Sequence, residues 1–198
     1  MLLALLFPRF CIGCDRDDVL LCAACARRAG ESQTLRLDGL CVYSCFPYAG
    51  AVRGAITEFK HGRRAFASDL AALLLPSVPR DALLVPVPTT RGRRAARGFD
   101  QTVLLARVLE RSGRIRVAEL LARKGERAQQ GRSRTERIAA TGRFCLQRGV
   151  RASGEGMILF DDVRTTGATL IDAARTLADA GCNVRGALTL AWTPKERW

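Results

Sequence analysis

Histidine occurs once in these 198 residues, and tyrosine, tryptophan and methionine twice each. The lone His61 has no evident partners for a hydrolase triad and reads as an incidental loop residue. No Gly-x-Ser-x-Gly turn accompanies it. The familiar glycine-rich phosphate loops are missing too. Neither G-x-x-x-x-G-K-[ST] nor a strand followed by G-x-G-x-x-G is present, which excludes P-loop and dinucleotide-binding readings. No apolar run nears the roughly 20 residues of a membrane-spanning helix. The apolar opening, residues 1–7, has no basic leader and is shorter than most signal-peptide cores. It meets Pro8 and Arg9 at once, so it reads as a short helix or interface patch of a cytoplasmic protein.

Acids are also scarce, 19 against 32 bases. The bases are unevenly placed: residues 89–151 hold 17 of the 32 and only 5 of the acids, so +12 of the net +13 lies there. A coding bias accounts for the choice of arginine over lysine but not for its concentration. A local excess of this size attracts polyanions, either nucleic acid or pyrophosphate. Phe99 and Phe144 are the aromatics of that span. Single-stranded DNA would therefore be held there by charge, with little base stacking. Arg132, Arg134 and Arg137 are the candidate nucleic-acid contacts, within a polar stretch (124–142) that reads as a mobile loop or an exposed helix.

Four of the eight cysteines lie in "CIGCDRDDVLLCAAC": Cys11, Cys14, Cys22 and Cys25. Two C-x-x-C knuckles seven residues apart suit one tetrahedral Zn²⁺ held by four thiolates, with Gly13 relieving the first turn. Disulfides or a redox pair are the alternative, and stable disulfides do not fit a reducing cytoplasm. Cys41, Cys45, Cys145 and Cys182 sit in apolar sequence and read as buried small hydrophobes.

With 48% hydrophobic residues, the chain can bury a core for one medium domain plus a small appendage. It divides near residue 35, into a cysteine module (1–35) and an α/β domain (36–198). In the latter, 40–50 is strand-like, 51–62 and 66–75 are helical, and 82–88 is a buried strand. Residues 99–113 are helical, 156–160 a short buried strand, 167–181 a helix and 183–192 a last strand. Strands alternating with helices predict a parallel sheet covered on both faces.

The chemistry gathers in "ILFDDVRTTGATL", residues 158–170. Ligands of an open parallel sheet bind at the carboxyl ends of its strands, where Asp161 and Asp162 are expected to face solvent. Thr165 and Thr166 then offer hydroxyls and N–H groups, Gly167 allows close backbone approach, and Thr169 opens a helix whose N-terminus favours phosphate. Two acids beside a phosphate nest need a partner of their own. A sugar diol is the natural one and a metal the other. Phosphate plus diol describes a ribose 5-phosphate. The bland reading is a capped turn.

"LFDDVRTTGATL" resembles the signature with which type I phosphoribosyltransferases bind 5-phosphoribosyl 1-diphosphate (PRPP). "CIGC…LCAAC", "FKHG", "LLVPVPTTRGRRAARGFDQ", "AQQGRSRTERIAATGRF" and "DDVRTTGAT" resemble, in order and over nearly the whole chain, the ComF family of competence-associated proteins. The resemblance implies a type I phosphoribosyltransferase-like sheet with a zinc-bearing N-terminal piece. It also implies PRPP binding with Mg²⁺ and a role in DNA uptake during natural transformation, with other competence proteins as partners. It assigns Asp161, Asp162, Val163, Arg164, Thr165, Thr166, Gly167, Ala168 and Thr169 to PRPP. Mg²⁺ prefers phosphate oxygens and water, so it would ride on the pyrophosphate. The Arg-rich loop 88–97, with Pro88, Thr89, Thr90, Arg91 and Arg97, is the expected pyrophosphate clamp, and Lys60 the expected contribution from a hood. One position departs: Asp100 stands where the family's "RGFNQ" has Asn, and it either opposes anion binding or hydrogen-bonds Arg97. Two classes of function follow: an enzyme transferring phosphoribosyl to an unknown acceptor, or a PRPP-sensing, DNA-associated protein without turnover.

Overall fold

An Asp-Gly pair opens the sheet. β1 (Gln33–Leu37) and β2 (Leu40–Pro47) form an antiparallel hairpin around Asp38 and Gly39, both at positive φ (49° and 83°). That is the turn whose twist matches two paired strands. The computed structural model describes residues 9–113, 115–124, 142–149 and 154–194. Its remaining elements run in chain order: α1 (Ala23–Arg28) before the hairpin, then α2 (Gly50–Lys60), α3 (Phe66–Leu74) and β3 (Ala82–Pro86). α4 (Arg91–Arg97), α5 (Gln101–Glu110), β4 (Ile115–Val117), β5 (Leu121–Arg123) and β6 (Phe144–Leu146) follow. β7 (Gly156–Arg164), α6 (Ala168–Ala178) and β8 (Asn183–Trp192) complete the set.

The main sheet has the order β1-β2-β8-β7-β3-β4, and every pairing after the hairpin is parallel. β5 and β6 form a separate antiparallel ribbon. Successive residues of the central strands serve opposite faces, as the strand period of two requires. Leu84, Phe160 and Leu188 enter one buried cluster with α2, α3 and α5; Val85, Leu159 and Ala187 enter another with α6 and the ribbon. The sheet is thus apolar on both sides, the condition for parallel strands.

This order creates one special place. From β3 the chain crosses by α5 to β4 on one side; from β7 it crosses by α6 to β8 on the other. β3 and β7 are neighbours whose following helices lie on opposite faces, so their carboxyl ends leave a crevice between them, where doubly wound sheets bind ligands.

The cysteine segment packs onto the first face. Cys11, Leu20, Leu21, Cys22, Cys25 and Ala26 belong to the same buried cluster as Val52, Ile56 and Phe59 of α2. Asp69 of α3 accepts hydrogen bonds from Leu20 N (2.7 Å) and the Arg9 guanidinium (2.6 Å). Of the other cysteines, Cys45 and Cys182 are buried as expected, but Cys41 is exposed and Cys145 half-buried. Cys41 follows buried Leu40 on β2 and so takes the outward position of the alternation.

Candidate functional site

The loop after β3 is tied down from both ends. Val87 N donates to Phe160 O at 2.8 Å, extending the β3–β7 pairing. Thr90 caps α4, its hydroxyl accepting from Arg93 N. Asp100 caps α5: one carboxylate oxygen accepts from Thr102 N (3.1 Å) and Val103 N (3.3 Å), the other from Thr89 N (2.8 Å). The carboxylate at the departing position therefore laces the loop to the next helix through three backbone donors. Burial pushes its carboxyl up, and the three N–H groups pull it partway back.

β7 does not stop at Phe160. It stays paired with β8 through Asp161↔Thr189 to Arg164↔Trp192, so both acids lie inside the strand rather than at a solvent-facing end. Asp162 is 7% exposed. It forms an ion pair with Lys60 Nζ at 2.8 Å and accepts from Gln101 Nε2 at 3.4 Å. Asp161 is half-buried. Burial first, and then the adjacent Asp162 charge, push its carboxyl well above the usual carboxylate range; Lys60 offsets only part of this. The folded chain consequently holds a proton on Asp161 that the unfolded chain releases near pH 4. Stability contributed by that proton is present below pH 4 and is lost as pH rises toward the folded-state value. Asp161→Asn is expected to flatten this decline and to raise the melting temperature at pH 8 more than at pH 5, measured by thermal denaturation of the ligand-free protein.

Beyond β7 the chain turns at Thr165, Thr166 and Gly167. Gly167 has φ +85°, and a Cβ there would overlap Leu37 Cδ1, so glycine is required twice over. The turn delivers α6 with its first N–H groups unpaired by the helix; the Thr166 hydroxyl accepts from Ala168 N at 3.3 Å. From the β5–β6 ribbon, Arg143 donates to the Thr169 hydroxyl at 3.1 Å and Arg123 Nε to Pro88 O at 2.9 Å, the latter lying over the Phe144 ring.

Between these loops lies an open cleft of about 670 Å³. Of the residues anticipated from sequence, Lys60, Pro88, Thr89, Thr90, Asp161, Asp162, Val163, Thr165 and Thr169 line it. Arg91, Arg97, Arg164, Thr166, Gly167 and Ala168 are not among its walls. Residues 91–97 are helical, so only one side of α4 meets the cleft, and Arg93 takes it. Lys60 reaches the acid pair. Sequence reasoning missed Tyr48, Val87, Gln101, Thr102, Arg123, Arg143 and Thr193, and included Arg93 only as part of the loop 88–97. Arg132, Arg134 and Arg137 lie outside the described residues, as do residues 1–7. No helix among the described residues is long and apolar enough to cross a membrane.

The four knuckle cysteines converge beside the N-terminal end of α2, where Gly13 and Cys25 meet Ala51, with all four sulfurs within 4.8 Å of one another. A Cβ on Gly13 would come within 2.9 Å of both Ala51 Cβ and Cys25 Sγ, so this glycine lets the knuckle close against the helix. Chiefly the Cys25 N–H, which donates to its sulfur, pulls the Cys22 thiol down to about 6, while hydrogen bonding with Cys14 and burial push Cys25 up to about 12. Four sulfurs this close cannot all ionise alone, and a divalent cation among them removes that obstacle. The cluster can hold a metal such as zinc.

No protein-family model matches the chain. Among solved structures, the fold resembles adenine phosphoribosyltransferase of Leishmania donovani (TM-score 0.36, 16% identity, 63% of this chain and 52% of that one). It likewise resembles a hypoxanthine phosphoribosyltransferase of Staphylococcus aureus (0.36, 15%, 70% and 67%). Likeness so slight specifies no substrate. Sequence likeness is closer: 34% identity over 146 residues to competence protein ComFC of Bacillus subtilis, and 30% over 141 to ComFC of Streptococcus pneumoniae. These alignments take in 70% and 69% of this chain and 58% and 61% of those proteins, so the match spans about three fifths of the relatives' length. Over that shared stretch the chain is similar in sequence to the competence protein ComFC.

Proposed function

We propose that the cleft binds PRPP with Mg²⁺ and that the protein serves DNA uptake during natural transformation, in the cytoplasm, as the name of its relatives suggests. The observation that carries this reading is the placement of an acid pair between two anion-suited loops at the switch point of the sheet. The Thr165–Thr169 turn takes the 5-phosphate. Asp161 and Asp162 accept hydrogen bonds from the ribose hydroxyls. Pro88, Thr89 and Thr90, with Arg93 and Arg123 nearby, face the pyrophosphate, and Lys60 sets Asp162 in position. Mg²⁺, bound to the pyrophosphate, would supply charge neutralisation for a departing diphosphate. If transfer follows, electron deficiency builds at ribose C1 as that group leaves, and the arginines of this wall stabilise the charge it carries off. In the cysteine cluster, Cys11, Cys14, Cys22 and Cys25 hold a structural Zn²⁺. The test is pyrophosphate release from PRPP across a panel of nucleobases. Release with one acceptor establishes transfer; PRPP-dependent thermal stabilisation without release favours a sensor; the absence of both release and stabilisation sinks the reading.

Single-stranded DNA is the second partner proposed, on the strength of the basic excess in residues 89–151. Counterion release would dominate such binding. Affinity is expected to fall steeply between low and high salt, and to weaken when Arg132, Arg134 and Arg137 are changed to Glu, in a fluorescence anisotropy titration. Salt-independent binding would contradict the electrostatic account. Loss of PRPP binding in the same variant would instead assign that stretch to the cleft.

A further inference from the structure

Arg164 points away from the cleft, into the sheet behind the Thr165–Gly167 turn. It is 6% exposed. Its Nε donates to Ser44 Oγ at 3.2 Å, one terminal nitrogen to the Thr165 carbonyl at 3.4 Å and the other to the Gln33 side-chain oxygen. The Trp192 ring lies 6.0 Å from its centre. Every one of these partners is neutral. Ser44 in turn accepts from the Thr189 hydroxyl at 2.8 Å, so the network behind the guanidinium is hydroxyl and amide throughout. Among the described residues no carboxylate forms an ion pair with it. Burial alone acts on its pKa, downward, with no neighbouring charge to oppose it.

Buried guanidinium groups are ordinarily paired with an anion, because an isolated buried charge is costly. One anion-suited feature adjoins this one: the turn whose Thr165 carbonyl it holds. In a trans peptide the C=O and the following N–H point in opposite directions, so drawing Thr165 O toward Arg164 turns Thr166 N–H away from it. We propose that Arg164 is a positioning residue whose counter-ion is the phosphate of the bound ligand, acting through the peptide of the turn, and that Gln33 is the neutral partner that leaves its charge available. The proposal rests on the reading that this turn takes a phosphate.

Gln33→Glu tests it with almost no change of shape. A carboxylate at that position pairs with Arg164 from behind. The ligand-free melting temperature should rise, while affinity for ribose 5-phosphate, measured by calorimetry, should fall about tenfold or more through the added negative charge. A residue that merely braces the turn predicts the reverse, since a firmer brace leaves affinity equal or better. Arg164→Gln and Arg164→Lys form the second arm: the lysine variant, which keeps the charge, should bind ribose 5-phosphate more tightly than the glutamine variant. Parental affinity in Gln33→Glu overturns the proposal, and, should that variant not fold, equal affinities of the two Arg164 variants do so. If the unaltered protein binds neither ribose 5-phosphate nor PRPP, the phosphate reading falls and this proposal with it; if it binds both and only the variants behave unexpectedly, the reading stands and the proposal alone falls.

Discussion

Cys11→Ser is expected to release one zinc ion per chain and to lower the melting temperature by about 10 °C or more. The size follows from where the cysteines sit. They are not a tethered appendage: Cys11, Cys22 and Cys25 are buried in the cluster that also contains Val52, Ile56 and Phe59 of α2. A structural zinc contributes folding free energy directly, of the order of 10 kcal/mol in isolated fingers. Losing one thiolate ligand need forfeit only about 4 kcal/mol to move the transition that far in a chain of this size, at roughly 2–4 °C per kcal/mol. Damage should reach the cleft as well, because α2 begins against the cysteine knuckle at Ala51 and ends at Lys60, which pairs with Asp162. Elemental analysis of the purified protein and thermal denaturation with and without chelator measure both effects. Protein without zinc, melting as the parent does, would remove the metal from the account.

Replacing Asp161 and Asp162 together by alanine is expected to abolish PRPP binding. A lost hydrogen bond between a hydroxyl and the Lys60-paired Asp162 carboxylate costs about 1.5–3 kcal/mol, and one to a neutral Asp161 carboxyl about 0.5–1.5 kcal/mol, so the pair is worth roughly thirtyfold or more in affinity. The fold should survive. Removing Asp161 relieves a carboxyl that burial and its neighbour disfavour, which offsets the loss of the Asp162 ion pair with Lys60. A melting temperature near the parent's together with lost binding is the expected pattern. Parental affinity in the double variant would show that the ribose is held elsewhere.

Much of this arrangement is legible in the sequence. The helices over 51–62, 66–75, 99–113 and 167–181 carry apolar stripes at helical spacing; α3, α5 and α6 lie within those bounds, and α2 starts one residue earlier, at Gly50. The acid pair and the threonine turn are contiguous in sequence, so their proximity needs no tertiary knowledge. What escaped has identifiable causes. α4 has no apolar stripe, only arginines, two alanines and Gly92, and so resembled a loop. The β5–β6 ribbon joins Leu121 to Leu146, three-residue strands with no local signal, and Arg123 and Arg143 reach the cleft only through it. Two carboxylates at the end of an apolar run suggested that β7 stops at Phe160; pairing with β8 carries it on to Arg164. The Asp38-Gly39 hairpin was readable in principle, since Asp-Gly between alternating residues is a strong turn signal. Arg164 resembled a cleft residue by its neighbours, and the alternation of the strand turned it inward.

Calorimetric titration of the zinc-loaded protein with PRPP in the presence of Mg²⁺ tests the central claim most directly. The account predicts saturable binding at one site per chain, lost in the Asp161→Ala, Asp162→Ala double variant and retained when Arg91, which lies outside the cleft, is changed to alanine. Absence of binding by the unaltered protein, or binding that survives loss of both acids, would contradict it.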